Sequence, residues 1–180
     1  VVTINADGVF INEAQVILAD IDASNGVVHV IDAVLLPPAQ PTNTIMDIVT
    51  NSGDHNTLEA ALIASGLNET LGTPGSYTLF APTDAAFGEI SDVLPTLTEA
   101  QVRSVLTYHA AGARVFAEDL NTGDNLTMLN LQDVRVKAII DDLIVLEDKS
   151  GGDDATVIIK NVHGSNGVIH AINKVLIPNL

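Results

Sequence analysis

An eighteen-residue stretch of this chain occurs twice, 141 positions apart, and the repetition limits what the chain can be. Asp20-Ile21-Asp22-Ala23-Ser24-Asn25-Gly26-Val27-Val28-His29-Val30-Ile31-Asp32-Ala33-Val34-Leu35-Leu36-Pro37 returns as Asn161-Val162-His163-Gly164-Ser165-Asn166-Gly167-Val168-Ile169-His170-Ala171-Ile172-Asn173-Lys174-Val175-Leu176-Ile177-Pro178, with nine of eighteen positions identical. Just upstream, Ala14, Val16 and Ile17 align with Ala155, Val157 and Ile158. A repeating unit near 140 residues follows. In 180 residues only one complete copy fits, spanning 42–180. Residues 1–37 then read as the C-terminal part of a preceding copy. Residues 38–41, within Pro37-Pro38-Ala39-Gln40-Pro41, read as a linker stiffened by the fixed φ of proline. The chain opens at Val1 directly in strand-like sequence, the pattern of a mature or trimmed chain.

Both copies of the repeat read as β-hairpins. Val16–Ile21 and Val157–Val162 are rich in β-branched residues, and each is followed by Asn-Gly, a pair that readily takes the positive φ values of a tight turn. Val27–Ile31 and Val168–Ile172 are the returning strands, carrying His29 and His170. Val134–Ile140 and Leu143–Glu147 predict a further hairpin turning at Asp141-Asp142, and 150–154 predicts a loop. Helical signals concentrate in the first half of the complete copy. Thr98 and Gln101 form a capping box, and Leu97 and Val102 occupy the staple positions. Val102, Val105, Leu106 and His109 then follow at one-face spacing. A second helix begins near Asn56, with Glu59 at the capping position, Leu58, Ala61, Leu62 and Ser65 inward, and Gly66 as its stop. A short helix is predicted over Thr44–Thr50, and a strand over Tyr77–Phe80 turns into a helix capped by Thr83. Helices first and antiparallel hairpins last predict an α+β domain.

The apolar share is 47 %, enough for a core, but aromatics are only 3 % and there is no Trp, so stacking platforms for bases or sugars are disfavoured. With 7 basic against 23 acidic residues the net charge is −16, which repels phosphate backbones and argues against nucleic acid. An acidic surface of this kind keeps a protein soluble and suits a cationic partner, calcium or a salty medium. There is no Cys, hence no disulfide and no thiolate site. No apolar run reaches the roughly 18 residues of a transmembrane helix.

Three stretches carry a family likeness. Thr78-Leu79-Phe80-Ala81-Pro82-Thr83-Asp84-Ala85-Ala86-Phe87 resembles the first signature of fasciclin domains, and Ser165–Pro178 resembles the second. Tyr108-His109 stands between them, where the family has its Tyr-His pair. The likeness covers 42–180, and 1–37 is similar to the end of another such domain. It implies a wedge or sandwich of antiparallel β-strands flanked by several helices. It also implies an extracellular setting, secreted or attached to the cell surface, in adhesion and matrix proteins that often carry tandem modules. In animal members the Tyr-His region is connected with integrin binding. Here Ala110-Ala111-Gly112-Ala113 follows the pair, where the family usually has bulkier apolar residues and then Pro-Gly. Tyr108 and His109 therefore carry over only as a candidate partner-binding region, with Tyr108 expected to be partly exposed.

Other motif residues have structural readings. Thr83 is an N-cap, and Asp84 follows it where a carboxylate gains from the helix dipole. Asn166 and Gly167 make a turn, and His170 holds a hydrogen bond. A hydrolase built from Asp84, His109, His170 and a serine is conceivable because such sites are defined by geometry. Each member already has a structural role, so no catalytic residue and no cofactor is assigned. Carboxylates pair at Asp20/Asp22, Asp141/Asp142 and Asp153/Asp154, but none has the spacing of a calcium loop, and no metal site is assigned. The expectation is a non-catalytic extracellular binding module for a cell-surface or matrix protein or glycan. The alternative is an assembly unit, because a lone hairpin at 1–37 cannot bury its apolar face and invites self-association or domain exchange.

Overall fold

The computed structural model describes residues 2–35 and 40–180. Leu36–Ala39, with most of the expected linker, lie outside the described residues. The chain divides into two compact units, Val1–Gln40 and Pro41–Leu180.

The first unit is an antiparallel meander of β1 (Val2–Asn5), β2 (Gly8–Ile11), β3 (Ala14–Ala23) and β4 (Gly26–Ile31), in that spatial order. Of its residues Ala14 is buried, whereas β4 is exposed from Gly26 to Val30.

The second unit begins with three helices: α1 (Ile45–Thr50), α2 (Asn56–Ala64) and α3 (Leu67–Gly72). Next come β5 (Tyr77–Pro82), α4 (Asp84–Glu89), α5 (Glu99–Thr107) and the short β6 (Ala110–Ala111). It closes with β7 (Asn125–Thr127), β8 (Asp133–Ile140), β9 (Leu143–Glu147), β10 (Ala155–Gly164) and β11 (Gly167–Ile172). The strands form one sheet ordered β6-β5-β11-β10-β9-β8-β7. All neighbours are antiparallel except β5 and β11, which run parallel with Phe80 opposite His170. The expectation of antiparallel strands is corrected at this pair. β11 is buried at all six residues, because it lies between β5 and β10 and is covered on both faces. On one side Leu79 and Ile169 pack with Ile45, Leu62 and Leu106 of the helices. On the other, Phe80 and Ile172 pack with Val134, Val136 and Leu146 of β8 and β9.

The helix ends follow the sequence, with two differences. Thr44 and Asp47 form a capping box on α1, as Thr98 and Gln101 do on α5. Gly66, at φ 71°, does end the α2 region, but it also serves as the N-cap of α3, an element the sequence reading lacked. Glu59 does not cap α2; its backbone N–H simply bonds the His55 carbonyl in the first helical turn. The α2 N-terminus is closed from another segment, by Asp84.

The two copies of the repeat adopt the same conformation. β3 and β4 map onto β10 and β11 residue for residue at the 141 offset. Val16↔Ile31, Leu18↔Val30 and Ile21↔Val28 reproduce Val157↔Ile172, Ile159↔Ala171 and Val162↔Ile169, with register breaks at the same places. Asp20 and Asn161 share a left-handed φ of 56° and 57°. The expected turn geometry is corrected in both. Ser165-Asn166 form the turn, Gly167 is already the first residue of β11, and none of the three has a positive φ. The glycine is required by space: a Cβ at Gly167 would stand 2.3 Å from the Tyr77 carbonyl oxygen and 2.4 Å from Ile45 Cδ1.

Candidate functional site

The motif residues converge where β5 and β11 meet the helices. Asn166 is buried and fully engaged: its Oδ1 accepts from the Ile45 N–H at 2.8 Å, and its Nδ2 donates to the Leu71 and Thr73 carbonyls at 2.7 and 2.8 Å. It joins the start of α1 to the end of α3, groups that would otherwise be orphaned at helix termini.

His109 follows α5. Its Nε2 accepts from the Leu176 N–H at 2.9 Å, which leaves Nδ1–H to donate to the Val105 carbonyl at 2.8 Å. Both ring nitrogens are satisfied in the neutral form. Burial pushes its pKa down to about 4, opposed by the bond to Val105 and the charge of Asp148. His170 stacks on Phe80 at 5.4 Å between centroids. Its Nδ1 accepts from the Asn161 N–H at 3.3 Å and its Nε2 bonds the Val115 carbonyl at 3.0 Å. Burial lowers its pKa as well, again opposed by that carbonyl.

Tyr108 corrects the expectation of partial exposure. It is 0 % exposed, and its hydroxyl donates to the Asp133 carbonyl at 2.8 Å. Burial, with the charges of Asp148 and Asp133, holds the phenol above its ordinary range. His109, at 1 % exposure, is equally withdrawn, so neither side chain of the candidate partner region meets solvent.

Thr83 caps α4 as expected, accepting from the Ala86 N–H. Asp84 stands in the first turn of α4 as expected, and its side chain also serves a second helix. Its carboxylate accepts from the Thr57 N–H at 2.7 Å, the Asn56 side chain at 2.9 Å and the Asn56 N–H at 3.3 Å, closing the start of α2. These bonds, the one from Thr57 first, hold its pKa near 2. Hydrogen bonds thus carry Asp84 to α2, His109 to α5 and Leu176, and His170 to Val115 and Asn161; none of the three bonds a serine.

A Ser–His pair does form elsewhere. Ser52 Oγ lies 2.7 Å from His55 Nδ1 in the turn between α1 and α2, while His55 Nε2 is buried without a partner. The sequence signal was Ser-x-x-His between two helices, outside every family motif. Among the described residues no group of three or more His, Asp or Glu is placed to hold a metal ion. Asp142, Asp153 and Asp154 instead pair with Lys160, Lys174 and Lys137.

A fasciclin domain family model matches residues 1–37 and 53–178, so the chain belongs to the fasciclin domain family. It is 34 % identical over 178 residues to the transforming growth factor-beta-induced protein ig-h3 of Oryctolagus cuniculus, covering 95 % of this chain and 24 % of that protein. It is 34 % identical over 174 residues to Homo sapiens periostin, covering 95 % of this chain and 20 % of that one. Protein sll1483 of Synechocystis is 30 % identical over 143 residues, or 75 % of this chain and 73 % of its own length. The chain thus spans about a quarter or less of the two mammalian relatives. A FAS1 domain pair from the insect cell adhesion molecule Fasciclin I has the same fold, with TM-score 0.64 and 22 % identity over 91 % of this chain and 59 % of that one. Among the described residues no helix is long and apolar enough to cross a membrane.

Proposed function

We propose that the chain is a non-catalytic extracellular binding module of a tandem fasciclin protein, engaging a cell-surface or matrix protein or glycan. One observation carries this reading: the chemically capable side chains of the family motifs (Asp84, His109, Asn166 and His170) are all consumed in holding backbone groups. Such a framework presents a fixed surface. The adhesion role named for the insect relative supports the same direction. In this reading 42–180 is the complete module and 1–37 closes a preceding one. The test is binding of the purified chain to arrays of matrix proteins and polysaccharides. Saturable binding without turnover is expected; silence across both arrays removes the reading.

The second reading is assembly through 1–37, and it too has its own observation. β4 is exposed from Gly26 to Val30, whereas its twin β11 is buried throughout between two strands. Its outer edge pairs with no strand among the described residues. An exposed apolar edge strand is a template for another chain. A mass measurement in solution is expected to show association at raised concentration. A strict monomer in which 1–37 is digested rapidly would exclude it.

A further inference from the structure

We infer that the groove between α2 and α5 binds a straight-chain carboxylate, with its headgroup on the Arg103 guanidinium and its chain along the apolar lining. The groove measures about 440 Å³. Ala61 and Ala64 of α2 form one wall and Ala100 and Val102 of α5 the other, and Leu97, just before α5, completes the apolar lining. Ala61, Leu97 and Val102 also pack on the helical core, so this lining is in place before any ligand arrives.

Arg103 supplies the charge. One N–H of its guanidinium donates to the Ser65 carbonyl at 2.6 Å, at the end of α2, and both residues line the groove. Arg103 is exposed, so its other N–H groups can be reached. Among the described residues no carboxylate lies within 4 Å of it, although acidic residues outnumber basic ones by 23 to 7. Even Glu99, four residues earlier on α5 and also lining the groove, does not pair with it. Arg135, Lys137, Lys160 and Lys174 all have acidic partners. Arg114 has none, but it is held by the Gly164 and Ser165 carbonyls, and Lys149 lies in a recess with Glu147, Asp148 and Asp154.

The chemistry of the ligand follows from these two features together. A guanidinium takes a carboxylate on two parallel N–H bonds, each stronger than a neutral hydrogen bond. An alcohol gains the apolar lining but not that pair of bonds. A short carboxylate gains the bonds but not the lining, and a cationic head would meet Arg103 itself. A dry cavity of roughly 150 Å³ holds benzene, so a ligand of about ten non-hydrogen atoms fits here with room left. The site is independent of both readings proposed above.

The probes are octanoate, octan-1-ol and acetate, each titrated into the full chain and followed by NMR. Octanoate is expected to shift the Arg103 side-chain Nε–H signal and to give nuclear Overhauser contacts with the methyls of Ala61, Ala100 and Val102. Octan-1-ol should bind about tenfold more weakly, the loss of one charge-assisted pair, and acetate not measurably. Arg103→Gln should bring octanoate down to the level of the alcohol, while Arg103→Lys keeps part of the difference. Glu99→Gln should tighten octanoate about twofold, because a like charge leaves the rim. Should Arg103→Gln not fold, the wild-type ranking and contacts decide alone. No octanoate binding, equal affinity for octanoate and octan-1-ol, contacts confined to other surfaces, or an octanoate affinity unchanged in Arg103→Gln would each overturn the assignment.

Discussion

The Leu176 N–H donates to Nε2 of His109 across 2.9 Å, tying the C-terminal segment to the residue just past α5. The bond exists only while Nε2 is unprotonated, because a second proton there would face the amide N–H head-on. With Nδ1–H on the Val105 carbonyl, the neutral ring is fixed in one tautomer. A residue expected to mark a partner site therefore serves as a latch.

Acid should release that latch. The folded His109 titrates at about 4, against 6.5 for an ordinary histidine. Because the folded value is depressed, its stabilisation is complete above 6.5 and falls as pH drops toward 4, where the loss saturates. The difference corresponds to about 3 kcal/mol. Burial lowers His170 too, adding in the same direction. Urea midpoints at pH 7.5 and 4.5, with the His109 ring followed by NMR, test this. A His109 ring fully protonated at pH 5.5 in the folded chain would contradict it.

Asp84 works at the opposite end of the pH scale. Its carboxylate closes the start of α2, and its pKa is lowered to about 2. That stabilisation is present above 3.8 and disappears as pH falls through 2. The group is close to the surface, so solvent screens it. Asp84→Asn should cost about 0.5–1 kcal/mol at neutral pH. It should also speed amide exchange at Asn56 and Thr57 more than in α5. Equal exchange in both helices would show that the cap is unimportant.

What the sequence revealed depended on how local each signal was. The hairpins were legible because one strand–turn–strand pattern was written twice, at Ala14–Ile31 and Ala155–Ile172. The capping box of Thr98 and Gln101, three positions apart, could be read directly; the one of Thr44 and Asp47 has the same spacing but was read only as the start of a short helix. The parallel pairing of β5 with β11 could not, since it joins Tyr77 to Gly167 and alternation carries no strand direction. Tyr108 was misplaced because what buries it is distant in sequence: its backbone is still helical, but its ring packs with Val134 and Val136 of β8 and its hydroxyl bonds the Asp133 carbonyl 25 residues on. Asp84 was legible at the start of α4, but its bonds to α2 were missed because Asn56 and Thr57 are distant in sequence.

Asn166 and Asn25 occupy equivalent places with unequal surroundings. Asn166 bonds three backbone groups of the helices and is 2 % exposed, while Asn25 is exposed. Asn166→Ala should cost about 3–5 kcal/mol, since it strands one N–H and two carbonyls. Asn25→Ala should cost under about 0.5 kcal/mol. Both tyrosines, Tyr77 and Tyr108, lie in the second unit, so tyrosine fluorescence during urea unfolding reports the first of these changes. A loss below about 1 kcal/mol for Asn166→Ala would mean that water replaces the side chain easily.

The glycines one residue further on separate the two environments more sharply. A methyl at Gly167 meets backbone and a packed Ile45 side chain, whereas one at Gly26 meets nothing within 4 Å. Neither glycine has a positive φ, so the contrast measures crowding alone. Gly167→Ala should push β5 and β11 apart at Tyr77 and cost about 2 kcal/mol or more. Gly26→Ala should leave amide protection in β3 and β4 unchanged in the isolated chain. If 1–37 closes a neighbouring module, the same methyl should become disruptive there, because a strand would then occupy the position that β5 holds beside Gly167. Attaching an upstream module and repeating the exchange measurement decides this. Continued indifference at Gly26 would mean that β4 never receives the neighbour its twin has.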